Sequence, residues 1–505
     1  MLRARIASRT TGSKEPVTEQ IGMRGLAGWD FAACPDEICG GDEICRREES
    51  DFDVLDFFVN FKIKMRFRFG YFDVRAGVLS FFVAAGCVHV AAQGIDLGKG
   101  CGGNLTAKEL SGNLMEYPYV DVAPPSQTPP PEGYRPFHME HYSRHGSRWL
   151  IGGDDYLTPV KRLETAERHG KLTPLGKKTL EVLRTAQVAS VGRLGELSDK
   201  GAVQHRVIGR RMAENFPEIF NAGADIDAKA TVVRRCILSM FNGLRGILQA
   251  APDVDPTVDA SSSDMWFMNF NDKNGWEEKK EADKTVLEAF KQAHTGTDSY
   301  LDRLVSDPQF ARDSVAPGLM PYLYWVLANT QSHTGQPWIL EDVFTADELK
   351  ENWLQGNAGW FLHGGNTSLT AGRPPYVQRN LLGRIISQAD SAIASDRSSA
   401  RLRYGHDGIL LNLISLMELG GYGDRIDSLE ELESAGWHDH DIIPMGGNLQ
   451  LVYYRKNGSD PDDVLVKALI NEREVTMPGE AVSGPYYRWK EIRKYYKDKL
   501  DAFKE

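Results

Sequence analysis

Residues 134–148 read Tyr134-Arg135-Pro136-Phe137-His138-Met139-Glu140-His141-Tyr142-Ser143-Arg144-His145-Gly146-Ser147-Arg148. Tyr134 to Tyr142 reads as a strand that stops just before Arg144, which makes Arg144 to Arg148 the loop at its carboxyl end. This loop sets a guanidinium on either side of the His145 imidazole, with Gly146 beside it to allow a ligand to approach closely. Guanidinium groups are planar, permanently charged donors that match phosphate oxygens two at a time. Crowding by positive charge favours the neutral, nucleophilic form of His145.

Outward from this stretch, strands and helices alternate. A helix is expected over 177–191, with Leu180, Val182, Leu183 and Val188 as its apolar positions. Leu197 to Gly201 reads as a turn into a helix from Ala202 to Phe216. The β-branched run Thr231-Val232-Val233 is expected to be a strand ending at Arg234-Arg235. After a helix at 376–396, a short strand from Arg401 to Tyr404 ends at Gly405-His406-Asp407-Gly408, and an apolar helix, Ile409 to Leu419, follows. This alternation predicts an α/β fold, a three-layer core around a mostly parallel central sheet, with an α-rich inserted cap domain. Ligands in such sheets bind beyond the carboxyl ends of the strands, so the three strand ends are expected to share one crevice. His406-Asp407 would also sit at a helix N-terminus, which favours anions, although Asp407 serves equally well there as a plain cap.

The chain has 505 residues and a net charge of −11, with no extended Lys/Arg tract, which argues against nucleic acid as the main partner. Cys34, Cys39 and Cys45 lie close together, but their spacing does not match the usual zinc pairs. A basic stretch with Lys62, Lys64, Arg66 and Arg68 precedes an apolar run from Ala76 to Ala92. Residues 65–93 therefore read as a signal peptide, with a membrane anchor or lipidation at Cys87 as weaker alternatives. The protein is expected to be exported: periplasmic, secreted or a surface lipoprotein. Residues 1–64 read as an upstream extension, from a misassigned start ahead of Met65 or as a disordered segment. Residues 94–133 form a Gly-rich then Pro-rich lead-in, a linker or surface strap. The body then divides into a first core part (134–238), the α-rich insertion (239–355) and a second core part (356–505).

With these motifs in place, the sequence resembles the histidine acid phosphatase branch of the histidine phosphatase superfamily, which includes phytases and multiple inositol polyphosphate phosphatases. Arg144 to Arg148 matches its Arg-His-Gly-x-Arg motif, and His406-Asp407 its proton-donor motif. Gly195 to Gly201 resembles its Gly-x-Leu-Thr-x-x-Gly turn, and Arg235 to Ser239 the segment that supplies a further phosphate-binding Arg. Pro444-Met445-Gly446-Gly447-Asn448 is also family-like, and the likeness spans about residues 134–500. The resemblance implies that His145 is the nucleophile and Asp407 the proton donor. Arg144, Arg148, Arg235 and His406 would bind phosphate, with no metal and no cofactor. Residues 149–175 look most like bacterial inositol polyphosphate phosphatases, yet that subgroup usually carries His-Ala-Glu where this chain has His406-Asp407-Gly408. The implied partner is a small-molecule phosphomonoester such as phytate, with sugar or nucleotide phosphates as the alternative; no stable membrane partner is expected. Lys161, Arg162, Lys171 and Lys177 would either serve a polyanionic substrate or solvate a surface.

Two readings from other classes compete. His138, Glu140, His141 and His145 form a dense cluster that could ligate zinc, although His-Glu-x-x-His order is absent and the segment reads as a strand. An exported binding protein that retains a phosphate pocket would need the arginines but not the His145/Asp407 pair.

Overall fold

The computed structural model describes residues 105–505, apart from 271–275, 459 and 505. The expected extension and signal peptide, and Cys34, Cys39, Cys45, Cys87 and Cys101, lie outside the described residues. Among those residues, no helix is long and apolar enough to cross a membrane.

The strands are β1 (Arg135–Arg144), β2 (Asp225–Ala230), β3 (Thr257–Asp259), β4 (Ser399–Gly405), β5 (Asn448–Arg455), β6 (Leu465–Ile470), β7 (Arg473–Val475), β8 (Ala481–Ser483) and β9 (Tyr486–Arg488). They form one sheet in the order β3-β2-β4-β1-β5-β6-β9-β8, with β7 also on β6. The α/β class holds, but the sheet is mixed where a mostly parallel one was expected. The β3-β2-β4-β1 half is parallel, and from β5 onward every pairing is antiparallel. The β6–β7 and β8–β9 pairs are joined by turns of two residues, which permit only antiparallel neighbours.

The larger helices are α1 (Gly153–Arg168), α2 (Pro174–Ser190), α3 (Asp199–Asn215), α4 (Arg234–Ala250), α5 (Met320–Asn329), α6 (Ala346–Gly364), α7 (Arg379–Ile393), α8 (Asp407–Leu416) and α9 (Trp489–Ala502). Strand residues alternate between two faces, so each face carries its own core. Met139, Ala228, Leu402 and Val452 pack with Ile208 and Met212 of α3 and Met240 and Leu244 of α4. On the other face, Leu449 and Leu451 pack with residues of α7, α8 and α9, among them Leu381, Leu410 and Trp489. The result is the three-layer arrangement. Helices α3 and α4 meet closely because small residues line their contact: a Cβ on Gly209 would lie 2.0 Å from the Gly243 carbonyl oxygen.

A third core is mostly helical and joins α1 and α2 to residues 300–353, with Leu163, Leu180, Leu304, Leu323 and Trp353 inside it. The stretch 239–355 begins inside α4 and ends inside α6.

One local expectation is corrected. Thr231-Val232-Val233 is not a strand but the turn from β2 into α4, with Val233 as N-cap, so Arg234 and Arg235 open a helix. The strand is Asp225–Ala230, where Ile226, Ala228 and Ala230 are the buried alternate positions. That period-2 burial outweighs the higher β-propensity of the three residues that follow.

Candidate active site

Parallel pairing carries the ends of three strands to one edge of the sheet. Arg144 at the end of β1 lies opposite Gly405 at the end of β4, and Ala230 at the end of β2 lies opposite Tyr404. Beyond these ends come the Arg144–Arg148 loop, Thr231 and His406-Asp407.

The loop is held by backbone contacts on both sides. His145 N–H donates to the Gly405 carbonyl (2.9 Å), Gly446 N–H donates to the His145 carbonyl (3.0 Å), and Arg144 N–H donates to the Gly447 carbonyl (2.8 Å). The Pro444–Asn448 segment is therefore the loop's second wall. The third wall is the start of α3. Ser198 donates its N–H (2.8 Å) and its hydroxyl (3.0 Å) to the Ser147 carbonyl, and Gln204 accepts from Ser147 N–H (2.8 Å). Contact is so close that a Cβ on Gly146 would sit 2.5 Å from the Gly201 carbonyl oxygen.

Within this frame His145 is buried, and its Nδ1 lies 2.9 Å from the Gly146 carbonyl oxygen. A carbonyl only accepts, so the proton resides on Nδ1 and the lone pair on Nε2. Burial, and then the positive charges of Arg144, Arg148 and Arg235, hold the His145 pKa well below the ordinary value of 6.5. The imidazole is a neutral base with its free nitrogen among three guanidiniums.

Arg144 is fully buried. Its Nη1 donates to the carbonyls of Asn113 and Ile443, both at 2.6 Å, and its Nη2 lies 2.9 Å from Asp407 Oδ2. Arg148 donates to the Trp149 carbonyl (3.0 Å), and burial with the neighbouring Arg144 charge lowers its pKa to about 10. Arg235 projects from the first turn of α4, its Nη1 3.4 Å from the Gly195 carbonyl oxygen. Its neighbour Arg234 is 82% exposed and paired with Glu196. The Nε atoms of Arg144, Arg148 and Arg235 are buried with no hydrogen-bond partner in the protein. Buried donors of this kind are costly, and around one imidazole they suit a tetrahedral oxyanion.

His406 caps α8, and its Nε2 lies 3.2 Å from Thr231 Oγ1. Burial, reinforced by Arg235 and Arg144 and only partly opposed by Asp407, lowers its pKa to about 4. The two imidazoles of His145 and His406 meet edge to face, with centroids 6.0 Å apart. For Asp407, burial pushes the pKa up, but Arg144, Arg148 and the Gly408 N–H more than offset this and hold it at about 2. Its carboxylate is thus ionised and clamped to Arg144.

All six sequence-predicted residues meet here. Sequence reasoning missed the carbonyls of Asn113 and Ile443, and it missed His363, which lines the same crevice as His406 and Asp407. Backbone acceptors leave no trace in residue type, and the lead-in that carries Asn113 reads as a linker. Yet Leu110, Leu114, Met115 and Tyr117 of that lead-in are buried. The zinc-like cluster is split. Strand alternation turns His138 and Glu140 to one face and His141 to the other, and His138 is engaged with Glu140 (3.1 Å) and Ser399 (2.8 Å). Lys171 pairs with Asp307 at 2.7 Å, whereas Lys161 and Lys177 are exposed on α1 and α2.

Residues 143–471 match the histidine phosphatase superfamily (branch 2). The chain belongs to that superfamily. As a branch 2 member it is a histidine acid phosphatase, a phosphoric monoester hydrolase. Among solved structures, a Bifidobacterium longum multiple inositol polyphosphate phosphatase in complex with phosphate is 20% identical, with a TM-score of 0.63 over 78% of this chain and 98% of its own. The apo form of that enzyme gives 18% and 0.64 over 77% and 97%. A phytase from D. castellii gives 15% and 0.58 over 78% and 86%. At these identities the likeness is one of fold. No curated protein matches the sequence.

Proposed function

We infer that this phosphatase hydrolyses inositol polyphosphates, phytate among them, through a phosphohistidine on His145. The observation that carries the reading is the free Nε2 of His145, neutral and surrounded by Arg144, Arg148 and Arg235. In this mechanism Nε2 attacks phosphorus in line while the three guanidiniums and His406 hold the equatorial oxygens. The ester oxygen departs with a proton from Asp407, taken up once the bound phosphate competes for its arginines. Asp407 then takes a proton from water, which attacks phosphorus; the phosphorus–nitrogen bond breaks, freeing phosphate and restoring His145. Positioning and charge stabilisation supply most of what phosphoryl transfer needs.

Substrate class rests on the surroundings. His363 lines both the crevice of Asp407 and a neighbouring cavity of ≈ 650 Å³, where Lys279 and Lys291, ion-paired with Asp283 and Glu288, are the lining lysines that would turn to further phosphates. One structurally similar enzyme, the Bifidobacterium longum inositol polyphosphate phosphatase, was solved with inositol hexasulfate. The His406-Asp407-Gly408 motif favours a second reading, a broad-specificity acid phosphatase acting on sugar or nucleotide phosphates. A panel of phosphomonoesters with released phosphate measured separates the two. Phytate is expected to exceed glucose 6-phosphate and AMP in kcat/KM by at least about tenfold, roughly 1.4 kcal/mol of discrimination. Equal values would select the second reading, and no turnover on any ester would select a binding protein. The basic-then-apolar stretch 62–92 supports export, which mass spectrometry of the mature N-terminus from a bacterial host would test.

A further inference from the structure

Close to Arg144, the segment Trp437-His438-Asp439-His440-Asp441 leads into a short turn of helix, Asp439–Ile442. We propose that His438, His440 and Asp441 bind one divalent transition-metal ion of the zinc class. Each of the three offers one ligand atom, and these atoms lie within 4.8 Å of one another. His438 Nδ1 and Asp441 Oδ2 are 3.4 Å apart. That separation matches the edge of a tetrahedron whose metal–ligand bonds are about 2.0–2.1 Å. Two imidazoles and a carboxylate form a donor set suited to zinc rather than to calcium or magnesium.

The plain alternative is a packed pair of core histidines, since the two rings stack with centroids 5.2 Å apart. Packing alone leaves polar atoms unaccounted for. His440 is 2% exposed, and its Nδ1 is buried with no hydrogen-bond partner; His438 Nε2 is in the same position. A single His438–Asp441 contact satisfies neither atom, and a shared ion adds a bond at one ring nitrogen of each histidine. The site also has a way in. His440 and Asp441 line a cavity of ≈ 590 Å³, which leaves room for water as a fourth ligand.

The ion would brace the phosphate site without taking part in its chemistry. Asp439, between the two histidines, accepts from Asn113 N–H at 2.9 Å, and the Asn113 carbonyl holds Arg144. Ile443, just beyond the turn, supplies the other carbonyl on the same Arg144 nitrogen. Fixing residues 438–441 therefore fixes both acceptors that orient Arg144.

The test uses the full chain, stripped with chelator, loaded with Zn2+ and dialysed. One equivalent retained, and a melting temperature that rises with Zn2+ but not with Mg2+, is the expected result. His440→Gln and Asp441→Asn should each weaken retention by at least about tenfold while circular dichroism stays native. No zinc retained by the wild type, or retention unchanged in both variants, overturns the proposal. Should either variant misfold, anomalous scattering at the zinc edge from wild-type crystals decides: a peak among His438, His440 and Asp441 supports the site, and a peak elsewhere removes it.

Discussion

His145 owes its reactivity to two influences that act on different ring nitrogens. The Gly146 carbonyl fixes the proton on Nδ1, and burial among three arginines keeps Nε2 unprotonated. His145→Ala should therefore lower kcat by about 10⁴-fold or more, and rapid quench of the wild type should trap an acid-labile phosphohistidine. Label on a serine or aspartate would reject His145. Asp407 poses a sharper question, because a carboxyl held at about 2 is not an acid in the free enzyme. A bound phosphate dianion would compete for Arg144 and Arg148 and add negative charge of its own, and both effects raise the Asp407 pKa. Sulfate mimics that dianion and brings no proton of its own at pH 5, so its binding there should take up one proton, seen as a binding enthalpy that depends on buffer ionisation. That dependence should vanish in Asp407→Asn. The same variant should slow alkyl phosphates far more than aryl phosphates, whose leaving groups need no acid; equal losses would make Asp407 a positioning residue.

At the scale of elements, the active loop is held by a helix start. Ser198 caps α3 by accepting from Gly201 N–H (3.1 Å) and also donates to the Ser147 carbonyl. Ser198→Ala removes both contacts and should cost about 1–2 kcal/mol, measured by chemical denaturation, with a fall in kcat as the loop loosens. An unchanged midpoint would mean that the Ser198 N–H and Gln204 hold the loop unaided. The sequence made this element legible, since Leu197 to Gly201 reads directly as a turn into a helix. It misled at Thr231–Val233, where residue type suggested strand and burial of the preceding segment decided otherwise. The family-like segment Arg235 to Ser239 pointed to Arg235 independently of the element on which it sits, and the fold sets its charge beside His145.

Across the whole molecule, the interior holds many neutral histidines. Burial lowers His141 and His205 to about 3, and His333, His363 and His406 to about 4, from an ordinary 6.5. Their folded pKa values lie below their unfolded ones, so the unfolded chain binds more protons between pH 6.5 and about 4. Stability is fully present above that window and is lost as pH falls through it. At His294 burial is outweighed by Glu351 and Glu430, and its opposite contribution is a single partly exposed group. Denaturation midpoints should decline with acid by at least about 1 kcal/mol per pH unit, and a flat profile would mean that other carboxylates compensate. The sequence by itself determined the alternation of strands and helices, the chemical types in the two motifs and their order, because those depend on local periodicity and residue chemistry. Only the tertiary structure decided that β1 and β4 lie side by side and in parallel, which brings His145 and Asp407 to one edge across some 260 intervening residues. It alone decided that Leu110, Leu114, Met115 and Tyr117 of the lead-in are buried, with the Asn113 carbonyl set on Arg144, and that Asp407 is ionised in the free enzyme. Backbone acceptors and neighbouring charges make those choices, and neither belongs to any one residue's place in the chain.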